Sequence, residues 1–382
     1  MRKIRILHVT SGLGVGGAET MLFRLVQSLH GHDGHEHAVV ALTGTSSFDF
    51  KSIGVPVDVV DLKKMANPLS SLARLRQAIR RHEPDLIQAW MYHGNVAATL
   101  AAPKGVPIVW GIHHSLHDVG NEKFSTRVLI GVGAKLGNWR NVRRIVYVSG
   151  KSKAQHCLRG YPEAKAIIIP NGFNCVEFSP DDGTRVSVRS ELGFGDNHLL
   201  IGNFGRYHPV KDHDLLLRAF ATIATDFARA RLLLAGTGMT EANSELIELI
   251  RMLGIADQVV LLGPRNDMPR MYNALDLYVL SSKSESFPNV LGEASACGVP
   301  SISTDVGDAA RIVSEAGCIV PPSCIGGLCD ALRQMLSLGS LERRSIGARA
   351  RQNVVDHYEL PVIVRAYAGL YEDLIGLDRK SR

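Results

Sequence analysis

Short apolar runs alternate with segments of helical periodicity along nearly the whole 382-residue chain. Uninterrupted apolar runs are typical of strands that are buried on both faces of a parallel sheet. Successive parallel strands need a crossover connection, and the helical segments between the runs supply it. The pattern predicts an α/β fold with strands at residues 4–9, 38–42, 57–60, 86–89, 108–112, 145–148 and 166–169, then at 199–204, 230–235, 259–262, 277–280, 301–304 and 318–320.

The alternation is interrupted at residues 170–183, PNGFNCVEFSPDDG, which are rich in turn-forming residues. Because a chain of this length suggests about two domains, we place one domain at residues 1–172 and a second at 173–355. In open parallel sheets, ligands bind beyond the carboxyl ends of the strands, where the strand order reverses. Two doubly wound domains that face one another are therefore expected to form an interdomain ligand cleft.

Composition excludes several classes of protein. The chain is 45% apolar and 21% charged, which excludes disorder throughout, and no run reaches the roughly 18 uncharged apolar residues of a membrane span. The amino-terminal apolar run is short and leads into a glycine-rich loop, which favours a first strand over a secretory signal. Six scattered cysteines without a C-x-x-C pair favour reduced thiols over a zinc site. We expect a cytoplasmic protein.

Positive charge is concentrated in residues 121–160, which hold nine lysines and arginines against one acid, Glu122. Residues 124–137 within this segment combine apolar side chains with Arg127 and Lys135, the pattern of an amphipathic helix with a basic rim. Such a surface attracts anionic lipid, although a solvated or core-facing helix is an equal alternative. Nucleic acid is not expected as a partner, because no nucleic-acid-binding motif is present.

A glycine-rich segment, residues 11–19, follows the first predicted strand and opens a helix. Gly12, Gly14 and Gly17 match the dinucleotide pattern G-x-G-x-x-G. That pattern also requires an acid at the end of the second strand, where this chain has Ala41-Leu42-Thr43. Three interpretations remain open here: a nicotinamide site, a structural turn, and a loop that binds an anion or a sugar.

Two cations flank the turn after the first strand of the second half. Arg206 lies near the strand end and Lys211 just before a helix, an arrangement that suits a diphosphate. The following Asp212-His213-Asp214 spells D-x-D, a metal-binding pattern in other enzymes. Its position immediately before a run of leucines favours a helix N-cap instead.

Two carboxylates lie eight positions apart in SESFPNVLGEASACGVP, residues 284–300. Pro288 is suited to a helix start, so backbone N–H groups around residues 288–291 are expected to form an anion-binding end. Glu285, in the loop, is expected to reach a sugar hydroxyl, and Glu293, in the helix, a ribose diol. The alternative is an exposed acid and a carboxylate that interacts with the helix dipole.

Histidines at two places are further candidates. His113 and His114 end a predicted strand, where they either face a ligand or serve in packing. Four more histidines lie in the segment LHGHDGHEH: His30, His32, His35 and His37. Such density suggests metal binding, but we expect a solvated loop at the amino side of the sheet.

Taken together, SESFPNVLGEASACGVP with its Glu285-x7-Glu293 spacing, GRYHPVKDHDLLLRAF and SGLGVGGAE resemble the retaining glycosyltransferases of family 4. The segments WMYHGN and WGIHHS are similar to a subgroup that builds bacterial surface polysaccharides. The resemblance implies a GT-B fold of two facing Rossmann-like doubly wound domains with an interdomain cleft. It also implies that residues 356–382 form a helix that crosses back onto the first domain.

The resemblance assigns roles to residues of this chain. Arg206 and Lys211 would neutralise the diphosphate, Glu285 would touch the donor sugar and Glu293 the ribose. His114 would be the active-site histidine, although the subgroup has Arg at the position of His113, so the choice between the two stays open. The implied donor-binding residues are Gly16, Gly17, Arg206, Lys211, Gly263, Arg265, Glu285, Ser286, Phe287, Pro288, Asn289, Val290, Leu291 and Glu293.

The implied reaction is a metal-independent, retaining transfer of a hexose. The nucleotide sugar is a co-substrate and no other cofactor is implied. The implied acceptor is a glycan or a lipid-linked glycan. The basic residues 121–160 suggest that it is reached at the inner face of the cytoplasmic membrane. A nucleotide-sugar epimerase of the same fold and an NAD(P)-dependent oxidoreductase are the alternatives.

Overall fold

The computed structural model describes residues 3–14, 16–32, 34–44, 46–61, 67–116 and 123–380. The chain divides into two compact units, Met1–Gly172 with Leu360–Arg382, and Phe173–Glu359. The second unit ends at Glu359, four residues later than the sequence predicts. The reason is that the helix Ser340–Tyr358 runs through the expected boundary at 355/356.

The first unit is built on a sheet of seven parallel strands in the order β3-β2-β1-β4-β5-β6-β7. Its strands are β1 (Ile4–Thr10), β2 (His35–Ala41), β3 (Val57–Val59), β4 (Leu86–Trp90), β5 (Ile108–Ile112), β6 (Val142–Tyr147) and β7 (Ala166–Ile168). Its helices are α1 (Gly17–Leu29), α2 (Pro68–Arg81), α3 (Met91–Ala101), α4 (Phe124–Leu136), α5 (Gly150–Cys157) and, from the end of the chain, α14 (Leu360–Lys380).

Both faces of this sheet are buried, as the uninterrupted apolar runs predict. Along β1, Leu7 and Val9 belong to one hydrophobic cluster, whereas Ile6 belongs to another. The second cluster also contains Tyr367 and Tyr371 of α14. The last helix therefore forms part of the core of the first unit.

The second unit has six parallel strands in the order β10-β9-β8-β11-β12-β13. The strands are β8 (Leu199–Phe204), β9 (Ala230–Ala235), β10 (Val259–Gly263), β11 (Leu277–Leu280), β12 (Ser301–Thr304) and β13 (Gly317–Val320). The helices are α6 (Asp182–Glu191), α7 (His213–Ile223), α8 (Ser244–Met252), α9 (Met268–Asn273), α10 (Asn289–Ala296), α11 (Ala309–Val313), α12 (Ile325–Ser337) and α13 (Ser340–Tyr358).

Each sheet reverses its strand order once, between β1 and β4 in the first unit and between β8 and β11 in the second. Beyond the carboxyl ends of these strand pairs lie the switch points at which α/β sheets bind ligands. The loop after β8 leads to Lys211, and the loop after β11 contains Glu285. The topology therefore brings together two motifs that are distant in sequence.

The predicted α/β fold is confirmed. Five strands begin and end where predicted, and the others differ by one to three residues at one or both ends. Within the described part of the chain, no helix is both long enough and apolar enough to cross a membrane.

Candidate functional site

At the switch point of the second unit, Lys211 and Glu285 form an ion pair. The Lys211 Nζ lies 2.6 Å from Oε1 of Glu285, and both side chains are about one-fifth exposed. The hydroxyl of Ser282 donates to the same carboxylate oxygen over 2.8 Å. Because both bonds end on Oε1, they fix the orientation of the carboxylate.

The loop after β8 is held against the loop after β11 by backbone and side-chain bonds. The hydroxyl of Ser281 donates to the carbonyl of Lys211 over 2.8 Å. The amide of Lys283 donates to the carbonyl of Val210, also over 2.8 Å. A short 3-10 turn, Pro209–Lys211, shapes the loop. Arg206, earlier in the same loop, is exposed.

Asp212 stands at the N-cap position of α7, where the sequence predicts it, but its side chain does not cap the helix. It precedes α7 in a left-handed conformation, with φ of 52°, and its side chain makes no capping hydrogen bond. Its carboxylate instead lies 3.4 Å from Nζ of Lys283. Asp214, the other acid of D-x-D, pairs with Arg218 one helical turn later. The two aspartates thus have separate cationic partners.

The start of α10 is less open than predicted. The helix begins at Asn289, with Pro288 at the N-cap position. The amide of Leu291 already donates to the carbonyl of Pro288 over 3.0 Å, so this N–H is not a free anion donor. The preceding Ser286 has a buried hydroxyl oxygen without a hydrogen-bond partner among the described residues.

Glu293 lies within α10 and accepts a hydrogen bond from the hydroxyl of Tyr272 over 3.1 Å. Burial raises the pKa of Tyr272 well above its ordinary value, with the nearby charge of Glu293 contributing in the same direction. The phenol therefore remains protonated and stays a donor to the carboxylate.

Gly263 and Arg265 lie at the carboxyl end of β10. Gly263 has φ of +64°, which favours glycine. Arg265 makes a two-point ion pair with Asp267, at 2.8 and 2.6 Å. This hydrogen-bonded guanidinium lowers the pKa of Asp267. The predicted donor contact of Arg265 therefore has to compete with an internal partner.

Sequence reasoning missed the glycines after β9. A Cβ at Gly236, whose φ is +139°, would overlap the carbonyl oxygen of Gly205. The amide of Gly236 donates to the carbonyl of Gly263 over 2.8 Å. These contacts join the ends of three neighbouring strands. Two glycines directly after an apolar run, at Gly236 and Gly238, are the signal that was available.

In the first unit, Glu19 lies against the glycine-rich loop. Gly16 directly precedes α1, and Gly17 is its first residue. A Cβ at Gly16 would overlap the carboxylate of Glu19, so this side chain folds back over the helix start. Burial raises the pKa of Glu19. A negatively charged Glu19 would oppose an anion at this helix end.

The end of β2 carries no ribose-binding acid. Ala41 and Leu42 are buried, and the hydroxyl of Thr43 donates to the carbonyl of Ser11 over 2.9 Å. Thr43 thus supports the glycine-rich loop from the neighbouring strand. This geometry disfavours the nicotinamide alternative.

His113 and His114 have different surroundings after β5. The ring of His113 lies 5.2 Å from that of Trp90. Burial lowers the pKa of His113 to about 4, although a side-chain hydrogen bond with Asn171 acts in the opposite direction. His114 lies edge-on to the ring of Tyr92 at 5.9 Å, and its carbonyl accepts from the hydroxyl of Ser152.

The expected solvated histidine loop is wrong for two of its four members. His35 and His37 are buried in β2, whereas His32 is exposed. Nδ1 of His37 lies 2.8 Å from Nε2 of His8, whose Nδ1 accepts from the indole N–H of Trp90. Strand β2 begins three residues earlier than predicted, which carries both rings into the core.

Helix α4 exposes apolar side chains at helical spacing. The exposed fractions are 78% for Phe124, 46% for Val128 and 36% for Val132. Arg127 and Lys135 are exposed on the same helix. Residues 121 and 122 of the predicted basic segment lie outside the described residues.

Comparisons with known proteins concern the family and the fold. The model of a family described as "Glycosyltransferase Family 4" matches residues 15–177, and that of "Glycosyl transferases group 1" matches residues 198–338. The putative glycosyltransferase EpsF of Bacillus subtilis (strain 168) is 27% identical over 314 residues, covering 79% of each chain. Other curated relatives, at 30–33% identity, are matched over about half their length.

Solved structures share the fold at low identity. Anabaena Alr3699/HepE in complex with UDP has a TM-score of 0.85 at 23% identity, and the match covers 97% of this chain and 100% of that one. WaaG, a glycosyltransferase involved in lipopolysaccharide biosynthesis, has a TM-score of 0.74 at 17% identity. The match covers 96% of this chain and 99% of the WaaG chain. The two Rossmann-like units therefore have the GT-B fold. Since the two family models together match most of the chain, it belongs to glycosyltransferase family 4.

Proposed function

We propose that the protein transfers a hexose from a nucleotide diphosphate sugar to a glycan or lipid-linked acceptor, with retention of configuration, in bacterial surface polysaccharide synthesis. The observation that carries this proposal is the Lys211–Glu285 ion pair at the switch point of the second unit. It joins a cation suited to a diphosphate and a carboxylate suited to a sugar hydroxyl. HepE, whose structure was solved in complex with UDP, shares the fold, and so does WaaG.

The donor is proposed to bind along the ends of β8, β10 and β11. Lys211 and the exposed Arg206 neutralise the diphosphate, Glu285 holds the sugar and Glu293 accepts from the ribose hydroxyls. The phosphates are surrounded by Phe287, Pro288, Asn289 and Val290. Gly263 and Arg265 lie beside the base.

The proposed step breaks the anomeric C–O bond to the diphosphate and forms a bond from that carbon to an acceptor oxygen. The acceptor proton passes to an oxygen of the leaving phosphate. Negative charge grows on that phosphate, where Lys211 and Arg206 stabilise it electrostatically. Because fixed cations can supply this stabilisation, we propose that transfer needs neither a metal nor another cofactor.

In the first unit, Gly16 and Gly17 are proposed to contact the donor diphosphate and the acceptor, and His114 is proposed as the active-site histidine. The choice of His114 over His113 is supported by the tilted contact of the His113 ring with Trp90 and by the lowered pKa of His113, both of which suit a packing role for His113. An active-site His114 would contact the acceptor or the donor sugar.

We further propose that the protein works at the inner face of the cytoplasmic membrane. Phe124, Val128 and Val132 would enter the headgroup region, and Arg127 and Lys135 would meet anionic lipid. An exposed apolar row with flanking cations is the arrangement by which amphipathic helices bind such surfaces.

The function is tested with UDP-, GDP- and ADP-sugars, scored first by thermal stabilisation, since a ligand that binds only the folded state raises the melting temperature. The stabilising donor is then incubated with lipid-linked acceptors, and the anomeric configuration of the product is determined by NMR. Transfer with retention is expected. A change of donor stereochemistry without acceptor would instead establish an epimerase.

A further inference from the structure

We infer that Phe173 is a positioning residue for the donor site, because it sets the place of both the Glu285–Pro288 loop and helix α10. This inference rests on the proposed function. Phe173 is the first residue of the second unit, and only 1% of its surface is exposed. It lies more than 100 positions before the motif that it supports.

Phe173 packs directly against the middle of α10. A Cβ at Gly292 would overlap the Phe173 ring, so only glycine allows this approach without a shift. Gly292 is adjacent to Glu293, the proposed ribose ligand. The ring of Phe173 therefore determines how far α10, and with it Glu293, lies from the entry point of the chain.

The same ring supports the loop before α10. The ring centroids of Phe173 and Phe287 are 6.1 Å apart, with the planes inclined by 20°. Phe287 in turn contacts Tyr358, with centroids 5.9 Å apart. All three aromatic side chains are buried. Phe287 lies two residues after Glu285, so this packing fixes the backbone that carries the carboxylate.

On another side, the loop lies close against the backbone of Gly307. At Gly307, where φ is +52°, a Cβ would come within 2.5 Å of the carbonyl oxygen of Ser286 and 2.9 Å of that of Glu285. The loop thus lies between the aromatic group and the backbone of Gly307. Loss of the Phe173 ring removes one of these two constraints.

Phe173 is itself held by the chain where it leaves the unit. Its amide donates to the carbonyl of Tyr358 over 2.8 Å, and Phe173 forms a parallel bridge with Glu359. Since Tyr358 also contacts Phe287, the first and last segments of this unit join under the donor loop. None of these contacts requires Phe173 to touch a ligand, which is why it is a positioning residue.

The test uses the full chain and four single variants. Phe173→Leu removes the ring, and Gly292→Ala adds the overlapping Cβ. Phe220→Leu, a buried phenylalanine of α7, and Gly326→Ala, a helical glycine with open space around it, are the matched controls. Hydrogen exchange of a peptide covering residues 284–296 is measured by mass spectrometry, without ligand.

Exchange in this peptide is expected to rise in Phe173→Leu and Gly292→Ala but not in the controls. In the double variant Phe173→Leu/Gly292→Ala, the effects should be less than additive, because the smaller side chain leaves room for the new Cβ. Turnover with the stabilising donor should fall about tenfold or more in Phe173→Leu, since small displacements of binding groups are costly.

Exchange and turnover in Phe173→Leu that match Phe220→Leu would overturn the inference, as would strict additivity in the double variant. A wild-type protein that transfers sugar from none of the UDP-, GDP- and ADP-sugars would refute the proposed function instead. The exchange measurement is unaffected by that result, so the two failures are distinguishable.

Discussion

Nζ of Lys211 lies 2.6 Å from Oε1 of Glu285, although the residues are 74 positions apart in sequence. The contact exists because β8 and β11 are neighbours in the sheet. Both groups are only partly exposed, so their charges interact more strongly than those of a surface pair. The pair forms a local dipole in which a diphosphate would meet the cation and a sugar hydroxyl the carboxylate.

Replacing this cation should abolish most activity and leave the fold intact. We expect Lys211→Ala to lower kcat by about 100-fold or more, the cost of removing one preorganised electrostatic contact. The fold should persist, because both side chains keep some contact with solvent and the loss of one ion pair removes only part of the total stability. Lys104→Ala, at an exposed position of the first unit, is the control. Undiminished transfer by Lys211→Ala would count heavily against the proposed function.

The carboxylate of Glu293 should matter for nucleotide binding. Glu293→Gln is expected to weaken binding of the stabilising nucleotide sugar about tenfold, since a hydrogen bond to a charged group contributes about 1.5–3 kcal/mol. Tyr272→Phe removes the 3.1 Å hydrogen bond to Glu293 but keeps the charge, so its effect should be smaller. Isothermal titration calorimetry measures both. Equal affinity in wild type and Glu293→Gln would contradict the ribose assignment.

Transfer should not depend on a divalent metal. Asp212 and Asp214 of the D-x-D sequence pair with Lys283 and Arg218 respectively, and the proposed stabilisation of the leaving diphosphate comes from fixed cations. We expect the same rate of sugar transfer before and after dialysis against EDTA. If dialysis abolishes sugar transfer and added magnesium or zinc restores it, the protein requires a metal and Asp212 becomes a candidate ligand.

The buried histidines of the first unit should make its stability depend on pH. Burial lowers the pKa of His8 to about 3 and that of His37 to about 2, from 6.5. Below about pH 6.5 the unfolded chain binds protons at these rings and the folded chain does not, so stability falls as pH falls towards 4. We expect His37→Gln to reduce this slope by about 1.4 kcal/mol per pH unit.

This slope is measured by urea unfolding at pH 7, 6 and 5. Tryptophan fluorescence reports on the first unit, because the chain's three tryptophans, Trp90, Trp110 and Trp139, all lie in it. His32→Gln, at an exposed position, is the control. A slope that His37→Gln leaves unchanged would show that His37 is protonated equally in the folded and unfolded chains.

Helix α4 should bind anionic lipid through its apolar row. We expect sedimentation with vesicles rich in phosphatidylglycerol and not with neutral phosphatidylcholine vesicles, because the exposed cations of α4 favour negative headgroups. Phe124→Ser/Val128→Ser should reduce binding about tenfold or more, given the apolar area lost. Val176→Ser, at an exposed valine of the second unit, should have no effect. Equal and negligible binding to both vesicle types would remove support for the membrane proposal.

Sequence patterns predict the fold more fully than they predict the site. The strand at 277–280 and the motif around Glu285 and Glu293 could be located because apolar runs, glycines and prolines act locally. The predicted N-cap position of Asp212 is confirmed, but its carboxylate lies near Lys283, a residue of another loop, and makes no hydrogen bond to the helix start. The free amide predicted at Leu291 is bonded within the first turn of α10.

The amino-acid sequence by itself determined that the chain forms two doubly wound α/β units, because burial patterns and turn residues are local properties. Its motifs also resemble those of glycosyltransferase family 4. Only the tertiary structure decided which side chains meet: Lys211 with Glu285, His8 with His37, and Phe173 with Gly292. The physical reason is that such pairings depend on strand order and on the packing of side chains from distant segments, which no local pattern encodes.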